Sequence, residues 1–213
     1  MAEIRRLQSL NARDIPQDVS GLDEIRKILG IDALLKSLGE RTIDEKSFKG
    51  FIEEITALFA LNEFRKSIGI DSPRPRLHMA ITGPDEERNA TFGLKAAEIY
   101  CDLGIIPEGP LVRVSADEIM RGADPNAPKI HYFLEEAKGG VLFIERVRHY
   151  EGDAAMTTVE KLLSILEIPN PDTLVIITGL PDNMGAFFET NPGLFSRFPQ
   201  HLNLARQVPV QPV

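Results

Sequence analysis

The stretch LHMAITG, residues 77–83, is a short apolar run that ends at a glycine. Such a run is typical of a strand that is buried on both faces. Similar runs recur along the chain, and segments with helical spacing separate them. Strands that alternate with helices predict an α/β fold, in which helices cover both faces of a central parallel sheet. The other predicted strands are Leu111–Val114, Val141–Ile144 and Leu174–Thr178.

Apolar residues at helical spacing predict the helices between these strands. Parallel sheets bind their ligands at the carboxyl ends of the strands. The candidate functional loops are therefore those after Thr82, Ser115, Ile144 and Thr178. The predicted helices are Ala90–Leu103, Lys129–Lys138 and Thr157–Leu166.

The sequence before residue 77 is organised differently. Residues 1–43 predict an N-terminal arm followed by short amphipathic helices. Helical spacing of apolar residues from Asp44 to Ile68 predicts a longer helix, and Asp71–Pro75 is a linker by composition. We expect one α/β domain over residues 44–213, preceded by the helical segment 1–43.

The composition excludes several classes of protein. The 213 residues carry a formal net charge of −8. Because nucleic-acid binding depends on cationic contacts with phosphates, we expect no nucleic-acid partner. No apolar run is long enough to cross a bilayer, so we expect no membrane partner and a cytoplasmic location. The four histidines lack the spacing of zinc ligands, which predicts no metal site.

Several separate stretches resemble, in order and spacing, the CbbX/SpoVK branch of the AAA+ ATPases, which includes the red-type Rubisco activases. The resemblance covers roughly Asp44–Leu204. It implies a P-loop NTPase-like fold of three α/β/α layers with a central parallel sheet. The family continues into a C-terminal helical lid, and this sequence stops at Val213, so we expect the lid to be absent. The stretches are Leu77–Gly83, Ala97–Ile99, Gly139–Ile144, Leu174–Gly179 and Asn191–Phe198.

The resemblance places a Walker A phosphate loop at residues 83–90. The pattern G-x-x-x-x-G-K-[ST] supplies a lysine for the phosphates and a hydroxyl for Mg²⁺. Here Gly83 holds the first position, but Arg88 replaces the second glycine, Asn89 the lysine and Ala90 the hydroxyl residue. We interpret this as a degenerate Walker A loop.

The resemblance places Walker B at the end of the third predicted strand. The family has an Asp there that holds Mg²⁺, followed by a Glu that activates water. This chain has Glu145 and Arg146 instead. An arginine stays protonated in proteins and is no general base, so we interpret these residues as a degenerate Walker B.

Arg197 matches the arginine that members of the family offer to the ATP of a neighbouring subunit. Such an arginine acts in trans. The sequence therefore makes Arg197 a candidate arginine finger or interface residue, with pairing to a local carboxylate as the alternative.

From these replacements we predict a protein that is not an enzyme and binds neither ATP nor Mg²⁺. The predicted function is that of a protein-interaction, scaffold or regulatory subunit, with an active AAA+ paralogue as the candidate partner. One alternative is a sensor that binds nucleotide without hydrolysing it, and another is an ATP-dependent remodelling chaperone with an unconventional site. A last alternative is an enzyme of another class built on a carboxylate cluster of Asp117, Glu118, Glu145 and Asp182.

Overall fold

The computed structural model describes residues 46–67, 69, 77–102, 105–106, 109–121, 129–166 and 173–204. The predicted N-terminal segment 1–43, the linker Asp71–Pro75 and the question of a C-terminal lid lie outside the described residues. The helix predicted from Asp44 to Ile68 is present as α1, Lys46–Ser67. Within the described ranges, every helix is too short or too polar to span a bilayer.

The described chain alternates strands and helices after α1. The strands are β1 Met79–Thr82, β2 Leu111–Ser115, β3 Val141–Glu145, β4 Leu174–Gly179 and β5 Gln200–Asn203. The helices are α2 Glu86–Asp102, α3 Ala116–Met120, α4 Ile130–Glu136, α5 Asp153–Leu166, α6 Pro181–Thr190 and α7 Pro192–Arg197.

The strands form one five-stranded sheet in the order β2-β3-β4-β1-β5. All neighbouring strands are parallel, and Thr82 of β1 lies opposite Gly179 of β4 and Asn203 of β5. Strands β3 and β4 are buried almost throughout, as expected where helices cover both faces. The predicted P-loop NTPase-like α/β fold with a central parallel sheet is confirmed.

The residues divide into two compact units. In the first, Phe51, Ile52 and Ile55 of α1 are buried, and the Phe51 ring meets the ring of Tyr100 edge to face at 6.1 Å between centroids. The second unit contains the sheet. Its core joins the strands to the buried faces of α3, α5 and α6.

Helix α2 begins earlier than the sequence predicted, at Glu86 rather than at Ala90. The cause is local capping, because Asp85 Oδ1 accepts a hydrogen bond from the backbone N–H of Arg88 at 2.7 Å. Glu86 and Glu87 add negative charge in the first turn, where the helix dipole favours it.

Candidate functional site

The candidate site lies at the carboxyl edge of the sheet, where adjacent strands end side by side. Because β4 pairs with both β1 and β3, the loops that follow Thr82, Gly179 and Glu145 come together at one edge. Three of the four loops singled out in the sequence follow these strands. The fourth, after Ser115, begins where β2 pairs with β3 and Ser115 lies opposite Glu145.

Asn89, at the position of the Walker A lysine, is fully buried. Its side-chain amide donates hydrogen bonds to the carbonyl of Gly83 at 3.0 Å and to the carbonyl of Gly179 at 3.1 Å. Its Oδ1 is buried without a hydrogen-bond partner, and a Cβ atom added to Gly83 would lie 2.3 Å from it. Asn89 therefore ties the loop after β1 to the end of β4.

Arg146 follows β3 in a left-handed backbone conformation, with φ of 56°. This conformation is uncommon for a residue other than glycine. The guanidinium Nε lies 3.2 Å from Glu86 Oε2 at the start of α2. An exposed ion pair thus joins the two positions that the family uses for Walker A and Walker B.

Arg88 and Ala90 flank Asn89 in the first turns of α2. The Arg88 guanidinium lies over the ring of Phe92, 5.6 Å from its centroid. Ala90 is buried and offers no side-chain oxygen. The lysine and hydroxyl that usually contact the phosphates and Mg²⁺ are therefore not reproduced, and the cationic groups at this loop are guanidiniums.

Glu145 ends β3 and points to the neighbouring strand β2. Its Oε1 accepts a hydrogen bond from Arg113 Nη2 at 2.6 Å. Asp117 is likewise paired with an arginine, because its Oδ1 lies 2.5 Å from Arg148 Nη2. In the part of the chain that the structure describes, no group of three or more His, Cys, Asp or Glu side chains is placed to bind a metal ion. Among the described residues, Asp117, Glu118, Glu145 and Asp182 therefore do not form a metal-binding cluster.

Asp117, Arg148 and Tyr150 form a small polar network beside this edge. The Tyr150 hydroxyl donates to Asp117 Oδ1 at 2.6 Å, and Arg148 lies over the Tyr150 ring, 5.2 Å from its centroid. The hydroxyl of Tyr150, followed by the guanidinium of Arg148, holds the pKa of Asp117 below its usual value. Burial and the bond to Asp117 raise the pKa of Tyr150 to about 12.

Arg197 lies at the end of α7, which begins where Asn191 Oδ1 accepts a hydrogen bond from the backbone N–H of Gly193. It is partly buried, and its Nη1 lies 3.4 Å from Ser196 Oγ. The neighbouring Phe195 is 60% exposed, and its ring stacks on His201 at 4.3 Å between centroids. Burial lowers the pKa of His201. The role of Arg197 in trans stays a prediction.

The sequence predicted the position of the phosphate loop after β1 but not two of the contacts around it. It treated Asn89 as a missing lysine, although its amide links two strand ends. It also missed the constraint at Gly179, where an added Cβ would lie 2.6 Å from the carbonyl oxygen of Val147. The sequence signal for both was weak, since each depends on a contact between residues far apart in the chain.

Known proteins resemble the chain over most of its length, although no family model matches it. It is 36% identical over 186 residues to the protein CfxQ homolog of Trieres chinensis. It is 34% identical over 185 residues to the chloroplastic ribulose bisphosphate carboxylase/oxygenase activase of Cyanidioschyzon merolae. It is also 34% identical over 180 residues to the chromosomal protein CbxX of Cupriavidus necator.

These matches cover most of this chain but only part of each relative. The shares of this chain are 84%, 84% and 82%, and the shares of the relatives are 62%, 63% and 57%, in the same order. The chain thus spans less than two thirds of the length of these relatives.

The relatives overturn two predictions made from the sequence. CfxQ, CbxX and Rubisco activase are AAA+ ATPases, which points to an enzyme, so the prediction of a protein that is not an enzyme is wrong. The prediction of no ATP or Mg²⁺ cofactor is wrong for the same reason. Both predictions rested on the loss of the lysine, the hydroxyl and the glutamate, and neither considered the guanidiniums of Arg88 in α2 and Arg146 after β3.

The relatives also give no support to a degenerate phosphate loop or a pseudo-ATPase. What they share with this chain is 34–36% sequence identity over 180–186 residues. Over most of its length, the chain is thus homologous to the CfxQ/CbbX-like branch of the AAA+ proteins.

Proposed function

We propose that this chain is part of an ATP-dependent AAA+ remodelling protein that acts on a protein partner through an unconventional nucleotide site. The observation that carries the proposal is the parallel sheet in the order β2-β3-β4-β1-β5 in a chain 34–36% identical to CfxQ, CbxX and Rubisco activase. This was one of the alternatives left open by the sequence. It fits the relatives better than a scaffold does.

The name of the Cyanidioschyzon merolae relative indicates the kind of partner. That protein is called an activase of ribulose bisphosphate carboxylase/oxygenase, and so acts on another protein. We propose a protein substrate for this chain too, with Rubisco as the first candidate to test. The same name places that relative in the chloroplast, whereas the cytoplasmic location of this chain stays a prediction from its sequence.

Arg88 and Arg146 are the groups that we propose to contact the nucleotide. A guanidinium binds phosphate oxygens in a bidentate manner, which a lysine does not. Arg88 lies in the first turn of α2, and Arg146 is 62% exposed beside Glu86, so both reach the edge of the sheet where ligands of such folds bind. Bound ATP would supply the phosphoanhydride bond, and its hydrolysis by water to ADP and phosphate would drive remodelling.

Arg197 supports a role for a neighbouring AAA+ subunit. An arginine finger acts on the nucleotide of the next subunit, so this chain could contribute Arg197 to the site of its neighbour. We propose an active AAA+ paralogue as that neighbour. The exposed ring of Phe195 beside Arg197 offers apolar area for such a contact.

The test is ATP binding by isothermal titration calorimetry with Mg²⁺, together with phosphate release. Both are measured on the chain alone, with a candidate AAA+ paralogue, and with Rubisco added. We expect saturable ATP binding, and phosphate release that changes when Rubisco is present. The proposal fails if neither the chain nor its mixture with the paralogue binds or hydrolyses ATP.

The unconventional site has its own test. Arg146→Gln should weaken ATP binding by about tenfold, which corresponds to the loss of one charged contact of roughly 1.4 kcal/mol. Arg121→Gln, at an exposed arginine just after α3, is the matched control and should leave the affinity unchanged. If both variants bind ATP with equal affinity, Arg146 does not contact the nucleotide.

A further inference from the structure

An apolar cavity lies on one face of the sheet, beneath α3, α5 and α6. Its volume is about 50 Å³. Nothing in the proposed nucleotide site uses it, because its walls are the core side chains behind the polar edge. The walls include Ile119, Ile144, Val159, Leu162, Ile177 and Phe187.

The mouth of the cavity is formed by the lining residues that are not buried: Met120, Tyr150 and Thr190 are partly buried, and Arg148 is exposed. The charges there are already paired, because Arg148 Nη2 lies 2.5 Å from Asp117 Oδ1 and the Tyr150 hydroxyl donates to the same oxygen. The rim therefore leaves no uncompensated charge for an ionic ligand.

The interior is also a poor site for water. A buried water needs two to four polar partners. Thr190 Oγ1, which reaches the wall, donates instead to the carbonyl of Ala186 at 3.2 Å, and the hydroxyl of Tyr150 is bonded to Asp117. Replacing such poorly bound water by a hydrophobic guest is favourable, because the guest loses no hydrogen bonds and gains apolar contacts.

We propose that this cavity is a binding site for a small, uncharged, apolar molecule. A cavity of roughly 150 Å³ in another protein binds benzene or xenon. At about 50 Å³ this cavity suits a guest at the small end of that range, such as xenon or a short hydrocarbon. The site is separate from the proposed nucleotide contacts, and its test does not depend on ATP.

The experiment uses xenon as the probe, with methyl-labelled protein followed by NMR under increasing xenon pressure. The methyl groups of Ile119 and Ile144 line the cavity and should shift in a saturable way. Ile81, which is fully buried but does not line the cavity, should not shift. Methyl shifts that grow linearly with pressure, or equally at Ile81, would overturn the proposal.

Two substitutions on α5 separate cavity binding from other effects. Ala155 lines the cavity and is 2% exposed, so Ala155→Leu should fill the space and abolish the saturable shift. Met156, the next residue, is 41% exposed and does not line it, so Met156→Leu should bind xenon like the wild type. If Ala155→Leu does not fold, the smaller Ala155→Val should weaken binding. Undiminished binding by a folded Ala155 variant would refute the site.

Discussion

The side chain of Asn89 donates a hydrogen bond to the carbonyl of Gly179, which lies ninety residues later in the chain. Its amide satisfies the carbonyls of Gly83 and Gly179, both of which are buried. Replacing it leaves these acceptors without their donor, and each unsatisfied buried group costs about 1–3 kcal/mol. Asn89→Ala should lower the free energy of unfolding, measured by urea denaturation, by about 1–3 kcal/mol, because it leaves two acceptors without their donor but also removes the buried Oδ1 that has no partner.

The control for this prediction is Thr91→Ala, at an exposed position on the same helix. Thr91 Oγ1 bonds only to the carbonyl of Glu87 one turn earlier, so its loss should change stability by less than about 0.5 kcal/mol. An equal loss in both variants would mean that Asn89 contributes through helix α2 alone and not through the contact with Gly179.

Asp117 should make stability depend on pH. Its pKa in the folded protein is lowered, first by the hydroxyl of Tyr150 and then by Arg148. A lowered pKa stabilises the fold above the unfolded value of about 3.9, and this contribution is lost as the pH falls through the folded pKa. The stability difference between wild type and Asp117→Asn should therefore shrink as the pH is lowered from about 7 to about 2.

Urea unfolding across that pH range measures the effect. Tyr150→Phe provides the partner test, because it removes the hydroxyl that contributes most to the lowered pKa of Asp117 while keeping the ring. It should reproduce part of the pH-dependent loss. Stability curves of wild type and Asp117→Asn that stay parallel at all pH values would contradict the assignment.

At the scale of single residues, the sequence predicted candidate positions but not what they contact. The residues of the phosphate loop were assigned from the resemblance to the AAA+ family. The partner of Asn89 could not be read there, because Gly179 reaches it only through the pairing of β1 with β4. The pairing of Glu145 with Arg113 likewise depends on the register of β2 against β3.

At the scale of elements, two glycines in helices predict opposite effects of one substitution. Gly93 of α2 faces the sheet, and an added Cβ would lie 2.4 Å from Cε2 of the buried Phe143. Gly93→Ala should destabilise the protein by about 1–3 kcal/mol through overpacking. Gly185 of α6 has no atom within 4 Å of an added Cβ, so Gly185→Ala should stabilise it by about 0.4–1 kcal/mol.

Thermal or urea unfolding of the two variants gives the comparison directly. Both changes add one methyl group to a helix, so the difference between them isolates the contact with Phe143. If Gly93→Ala were as stable as Gly185→Ala, helix α2 would have to lie farther from β3 than the structure places it.

Elements with strong apolar patterns were predicted well, and polar elements were not. Strands β1, β3 and β4 are nearly continuous apolar runs, as expected where both faces of a strand are covered, and the edge strand β2 departs from this pattern at Arg113. Strand β5 was missed because its residues alternate between exposed and buried and include Gln200 and His201. Helices α3, α6 and α7 were missed because each is too short, or too weakly periodic, for its spacing to stand out.

At the scale of the whole molecule, the order of the motifs predicted the fold, since four largely apolar strands separated by helices fit few other arrangements. Function was harder to predict because the same fold carries many activities. The prediction of a protein that is not an enzyme relied on the side chains lost from the phosphate loop, and the similarity to AAA+ ATPases shows that this prediction is wrong. Residues 1–43 contribute to neither conclusion.

The prediction at this scale concerns the assembly of this chain with a neighbouring AAA+ subunit. If Arg197 acts on the nucleotide of a neighbouring AAA+ subunit, Arg197→Ala should lower phosphate release by the mixed assembly at least about tenfold. Arg65→Ala, at an exposed arginine of α1, should not. Circular dichroism confirms that each variant is folded. If phosphate release is unchanged in Arg197→Ala, this residue does not act on the nucleotide of the neighbouring subunit and has only a local structural role.

The order of the strands in the sheet also determines when each strand can pair as the chain is synthesised. Strand β1 lies between β4 and β5, so Ile81 is opposite Thr178 on one side and Leu202 on the other. The ribosome makes β1 long before either partner, and non-local pairing of this kind is slow. A nascent chain that ends before residue 200 therefore carries β1 with an open edge, in a form prone to aggregation. Folding of the nascent chain is therefore expected to need protection of this edge of β1 until the last strand emerges.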